Sequence, residues 1–145
     1  MGNNRSVLKF EKYIVKEISY LTNEMFVSSG EIELDFDFDT DMNLDVEGNK
    51  IEIQLSADIF KDSARKNYPF EMRVTLKGYF SIDTEDADIQ VKMFEQNAIA
   101  ILFPYLRAIV STYTANANVA PVILPAMNIN SYLRKKYQDR ETQIS

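Results

Sequence analysis

The chain has 145 residues, 46% of them hydrophobic, which points to one domain spanning 1–145 with a buried core rather than a disordered tail. Histidine, cysteine and tryptophan are absent, so the usual zinc ligands, a thiolate nucleophile, disulfides and the default general base near neutral pH are excluded; no enzyme, cofactor or metal site is expected. A net charge of −6 with a pI near 4.7 argues against a nucleic-acid partner, because phosphate binders concentrate Lys and Arg on one face.

In chain order, the opening MGNNRSVLKF lacks the apolar core of a signal peptide, and no later stretch approaches the ~20 apolar residues of a membrane span. The expectation is a cytoplasmic protein with no membrane insertion. Met1, Gly2 and Ser6 fit the short and common acylation pattern M-G-x-x-x-[ST]. A first strand from Leu8 to Leu21 places Phe10, Ile14, Ile18 and Tyr20 on one face and Tyr13, Val15 and Leu21 on the other. With both faces partly apolar, it is either central in a sheet or pressed against another subunit, and the second is favoured. Thr22 to Gly30, with Met25 and Phe26, is long enough to cross over an end of the sheet.

From Ile32 to Val46 apolar residues alternate with acids, the pattern of a half-buried strand. Asp35, Asp37 and Asp39 stand at the spacing that opens a calcium loop. Thr40 occupies the position that needs Gly, however, and Val46 the one that needs Glu, so a solvated strand face is expected instead. Glu47-Gly48-Asn49-Lys50 reads as a hairpin turn, followed by a second alternating strand from Ile51 to Ile59. After a polar connection, Lys61 to Asn67, a third alternating strand runs from Phe70 to about Asp83. Gly78 falls where an inward side chain belongs, predicting a bulge or a close neighbour.

The second half reads as helical. Thr84 to Asp88 is acid-rich, as suits a helix N-terminus. Pro104 predicts a break near Ala98 to Leu102 and a new helix from about Phe103, which then fades over Thr114 to Asn118. Val119 to Met127 is strongly apolar, yet Pro121 and Pro125 hold it extended. Contiguous apolar surface of this kind marks an interface or a ligand groove, so the expected function is binding rather than chemistry. Asn128 is the expected N-cap of a short last helix carrying Tyr132, Leu133 and Tyr137, followed by a polar, mobile tail over 138–145. Flexible Met and aromatic surfaces suit partners of varied sequence; a small-ligand carrier or a structural oligomer with a fixed partner would use the same groove.

The segments NAIAILFPYLRAIVSTY and VAPVILPAMNINSYL, together with the first strand Tyr13 to Tyr20 and the Gly78 to Ile82 strand end, resemble the SecB family of bacterial export chaperones. That family shows an ILFPYAR-type helix start and an LAPVNF-type connector. The resemblance implies an α+β fold, a four-stranded antiparallel sheet with helices packed on one face, assembled as a homo-tetramer that is a dimer of dimers. It assigns subunit contacts to Tyr13, Val15, Leu102, Tyr105, Leu106, Ile109 and Tyr113. It assigns binding of unfolded client polypeptides or preproteins, kept soluble for export without ATP or cofactor, to Met25, Phe26, Phe36, Phe38, Met42, Val122, Ile123, Leu124 and Met127. Of the family's acidic docking surface for the SecA motor, Glu17 keeps one carboxylate. Leu21 and Arg73 stand where acids are expected, which counts against that docking and leaves a dedicated client, such as an antitoxin, as the alternative.

Overall fold

The computed structural model describes residues 6–45, 47–84 and 91–144. Strands β1 (Ser6–Thr22), β2 (Phe36–Asp45), β3 (Lys50–Ile59) and β4 (Phe70–Thr84) form one antiparallel sheet in the order β1-β4-β3-β2. A one-turn helix α1 (Ser63–Lys66) joins β3 to β4, and α2 (Val91–Asn116) and α3 (Ile129–Ile144) follow. The expected α+β architecture is therefore present. The core lies where β3 and β4 meet α2: Ile51, Ile53, Leu55, Ile59, Val74 and Leu76 are fully buried, facing Phe94, Ile99, Leu102, Leu106 and Val110. Burying each such side chain is worth about 1.5–3 kcal/mol, which outweighs any local preference along α2.

Alternation set the β2–β3 hairpin correctly, with Asp45 paired to Lys50 and Phe36 to Ile59. The turn closes with Asn49 at φ 52° and the Gly48 N–H donating to Asp45 Oδ1 at 3.0 Å. Gly78 meets a close neighbour, as anticipated: a Cβ there would stand 2.8 Å from both δ carbons of Leu102.

The two-faced reading of β1 is corrected. Its register against β4 shifts between Phe10 and Lys12 and again between Val15 and Glu17. Each bulge rotates the following residues by one face. Phe10, Tyr13, Val15, Ile18 and Tyr20 consequently pair with Phe80, Gly78, Leu76, Val74 and Met72, all on the helix side. Lys12, Ile14, Glu17, Ser19 and Leu21 pair with the outward residues of β4. β1 is an edge strand whose aromatic residues and most of whose aliphatic ones lie on the helix side, with Ile14 and Leu21 left exposed on the outer face.

The predicted helix break is also corrected, since α2 runs unbroken through Pro104. Pro104 and Ala100, whose carbonyl loses its helical donor, are both exposed, so the lost bond falls on the solvent side while Leu102, Phe103 and Leu106 hold the buried side on the sheet. By length and composition α2 does meet the requirement for a membrane-crossing helix, with a mean hydropathy of 1.4 in an 18-residue window, contrary to the expectation above. Part of that apolar surface, including Leu102, Leu106 and Val110, is buried against the sheet. β2 begins at Phe36 rather than Ile32, leaving 31–35 outside any strand, and α3 extends to Ile144, so the expected tail at 138–145 is largely helical. Asn128 caps α3 as anticipated, accepting the Ser131 N–H at 3.0 Å. The acylation pattern at Met1 and Gly2, and the acid-rich helix start after Thr84, fall outside the described residues.

The acidic face of β2 is not simply solvated, because α3 lies along that edge. Lys136 Nζ donates to the Phe38 carbonyl at 2.7 Å and to Asp37 at 2.9 Å, and the Thr40 N–H donates to the Tyr137 hydroxyl at 3.1 Å. The Tyr132 and Tyr137 hydroxyls donate to Asp37 and Asp39. Side chains of α3 thus occupy edge groups that would otherwise invite another strand. Burial alone would raise the Asp37 carboxyl, but the hydrogen bonds from Lys136 and Tyr132 outweigh it and hold it below the usual carboxylate range. Burial and the carboxylate partners push both phenols up to about 12. A phenol in the unfolded chain titrates near 10, so this contribution to stability is complete below about pH 10 and is lost as pH rises through about 12. Urea midpoints measured across that window should fall more steeply for the parent than for a Tyr132→Phe, Tyr137→Phe double variant; equal slopes would mean that the α3 clamp does not form.

Candidate functional site: two apolar grooves

The first groove lies between the crossover after β1 and the connector after α2. Its lining includes Ile32, Leu34, Phe60, Phe70, Val119, Pro121, Val122 and Ile123 around a volume of about 490 Å³. The crossover wall is held by amides. Asn23 Nδ2 donates to the carbonyls of Ser63 and Tyr68 at 3.2 and 2.9 Å, and Asn67 exchanges two hydrogen bonds with the Val27 main chain at 2.9 and 3.0 Å. Asn67 adopts φ 54°, a conformation that Asn tolerates better than most residues. The Phe60 N–H donates to the Asp35 carbonyl at 2.8 Å, and the Tyr68 hydroxyl to the Asp35 carboxylate at 2.8 Å.

The connector wall is held by α2. Arg107 Nε donates to the Leu124 carbonyl at 3.0 Å, and Ser111 Oγ donates to the Val122 carbonyl at 2.9 Å. The Val122 N–H donates to Thr114 Oγ1 at 2.8 Å, while that hydroxyl donates to the Val110 carbonyl. Residues 107, 111 and 114 share one helix face by spacing. The sequence reading passed over them because it followed only the apolar positions of this helix.

This strap decides which connector residues are available. Val122 and Leu124 are 7% and 0% exposed and belong to the core, whereas Ile123 between them is 72% exposed. Phe38 is also fully buried, packed edge-on against Phe103 and Tyr132. Phe38 and Leu124 are therefore corrected from client contacts to core, and Val122 sits largely buried in the groove wall, since alternation along an extended segment sends neighbours in opposite directions. Met25 is exposed, and Phe26, Phe36 and Met42 are half-buried. Met127 lines a different cleft beside Phe103, Pro104 and Arg107. Groove residues missed in the sequence are Ile32 and Leu34, which alternation had assigned to β2.

A second apolar groove, of about 470 Å³, lies between β1 and α2 and is lined by Tyr13, Val15, Ile18, Tyr105, Ile109 and Tyr113, among others. Tyr105 packs on Tyr13 and Phe10 at ring separations of 4.8 and 5.9 Å. Five of the seven expected subunit contacts are gathered here. Leu102 and Leu106 are corrected to core, both fully buried beneath the sheet.

On the opposite face of the sheet, Arg73 bridges Glu17 at 3.2 Å and Asp58 at 2.7 Å, and Lys77 pairs with Glu52 at 3.3 Å. Among the described residues, no group of three or more His, Cys, Asp or Glu could hold a metal ion.

A family model described as preprotein translocase subunit SecB matches residues 2–140. The chain belongs to the SecB family. An uncharacterized protein of Methanocaldococcus jannaschii is 40% identical over 132 residues, covering 86% of this chain and 81% of that protein. The SecB-like chaperone Rv1957 of Mycobacterium tuberculosis, solved in complex with a ChAD peptide from the HigA1 antitoxin, has a similar structure. Its TM-score is 0.61 at 13% identity, over 83% of this chain and 87% of that one. A protein of unknown function from Streptococcus agalactiae aligns with a TM-score of 0.51 at 14% identity, over 84% and 99% of the two chains. At such identities these two structures establish a shared fold. Within this SecB fold, the ILFPY segment lies in α2 and the APV segment forms one wall of the first groove.

Proposed function

We propose that this SecB-family protein is a molecular chaperone that binds unfolded polypeptides in the groove between crossover and connector and keeps them from aggregating. The observation that carries the reading is Ile123, an isoleucine 72% exposed at an apolar groove, on a segment whose main chain is fastened to α2 on both sides of it. Local rearrangement cannot hide such a residue, so its apolar surface is kept ready for a partner. No covalent chemistry or ATP is needed. Each apolar client side chain contributes roughly 1–3 kcal/mol on burial, and repeated grooves in an assembly convert weak contacts into avidity. The β1/α2 groove is the face for that assembly, a cytoplasmic homo-tetramer built as a dimer of dimers.

Two clients fit the reading, preproteins destined for export and a dedicated antitoxin. The Glu17–Arg73–Asp58 bridge favours the second, because a carboxylate neutralised by its own arginine is a poor docking point for an export motor. The SecB-like structural relative was itself solved with an antitoxin peptide. Ile123→Asp is expected to abolish suppression of aggregation when unrelated proteins are diluted from urea, with the circular dichroism spectrum unchanged. Undiminished protection would refute the groove assignment. Protection of many proteins supports a general holdase, and tight binding of a single peptide without it supports the dedicated role.

A further inference from the structure

The connector offers its outer main chain in an unusual way. In an extended segment the N–H and C=O of one residue point to the same side, and those of the next residue to the other. Val122 directs both groups to α2, its N–H donating to Thr114 Oγ1 and its C=O accepting from Ser111 Oγ, and the Leu124 C=O likewise accepts from Arg107 Nε. The N–H and C=O of Ile123 consequently point away from α2, and they have no hydrogen-bond partner among the described residues. The next outward positions in each direction are Pro121 and Pro125, which have no N–H to give.

We propose that the connector is a strand edge with a single outward donor: an extended polypeptide pairs with both the N–H and the C=O of Ile123 and meets only carbonyl acceptors at Pro121 and Pro125, which end the two-way ladder on either side. Arg107, Ser111 and Thr114 are positioning residues that set the phase of this edge. The proposal rests on the groove reading above and adds what the groove recognises. It selects a segment that is extended and has a free main chain, whatever its side chains, so a folded protein is refused and an unfolded one accepted. A longer edge would template a growing sheet with the client, the outcome a holdase must prevent. Limiting the two-way pairing to one residue leaves each contact quick to release.

The test uses fluorescein-labelled, reduced and carboxymethylated α-lactalbumin as the unfolded probe, with affinity and release rate read by anisotropy. Ile123→Pro removes the outward N–H and keeps an apolar side chain, and Ile123→Val keeps both. The proline variant is expected to bind about fivefold more weakly than the valine variant, the usual consequence of one lost hydrogen bond. Pro121→Ala with Pro125→Ala restores outward N–H groups and is expected to slow release several-fold, a gain that a merely structural role for the prolines does not produce. Thr114→Val should weaken binding, with rescue by Thr114→Ser. If Ile123→Asp binds the probe normally, the groove reading itself fails. If Ile123→Asp fails to bind while proline matches valine and the double alanine variant releases at the parent rate, the single-donor edge is overturned and the groove stands.

Discussion

Leu124→Asp is expected to abolish the folded state, although Ile123→Asp, one position earlier, leaves it intact. Leu124 is fully buried in the cluster that joins α2, the connector and the sheet. Truncating a buried leucine to alanine costs about 2–5 kcal/mol, and placing a carboxylate there adds the larger cost of a buried charge with no partner. Against a total stability of about 5–15 kcal/mol, that is enough to unfold a domain of this size. Urea denaturation followed by circular dichroism at pH 7 checks it. A cooperative transition within about 1 kcal/mol of the parent would mean that the connector is not packed as described.

Tyr105→Asp is expected to dissociate the proposed assembly while each subunit stays folded. Tyr105 is 41% exposed, so a carboxylate there is tolerated in a separate subunit. It also stands over Tyr13 and Phe10 at the centre of the β1/α2 groove. Large aromatic residues at the centre of an interface carry most of the binding energy. Desolvating an unpaired carboxylate there opposes association by about 3 kcal/mol, roughly a hundredfold in dissociation constant. Light scattering at micromolar concentration should show the mass falling, with Tyr105→Phe retaining the parent mass. A parent protein that is already a stable monomer would remove the assembly from the proposed function.

Much of the sheet was legible in the sequence, because the β2–β3 hairpin depends on a period-two pattern and a turn that are both local. The Asn128 cap, the Gly78 contact and the extended, proline-bearing connector were legible for the same reason. β1 was misread because a bulge leaves no composition signal. It changes face by inserting one residue, and at Glu11 and Lys16 that residue looks like any other charged strand position. Pro104 was misread because its usual consequence depends on what surrounds the lost hydrogen bond, and here that side of α2 faces solvent while the other is held by the core. The clamp of α3 on Asp37 and Asp39 joins residues 95 and 98 positions apart, a separation across which no periodicity operates.

The sequence by itself determined the strands, the helical second half, the SecB likeness and the presence of an apolar connector at 119–127. Those properties follow from local backbone preference and the spacing of apolar residues. Only the tertiary structure decided that Ile123 faces outward while Val122 and Leu124 face the core. An extended apolar run carries no internal mark of its phase, and every one of its residues is equally suited to burial. The phase is set from outside, by hydrogen bonds from Arg107 and Ser111 to connector carbonyls and from the Val122 N–H to Thr114. A one-residue slip past those partners would exchange the outward-facing Ile123 for its buried neighbours.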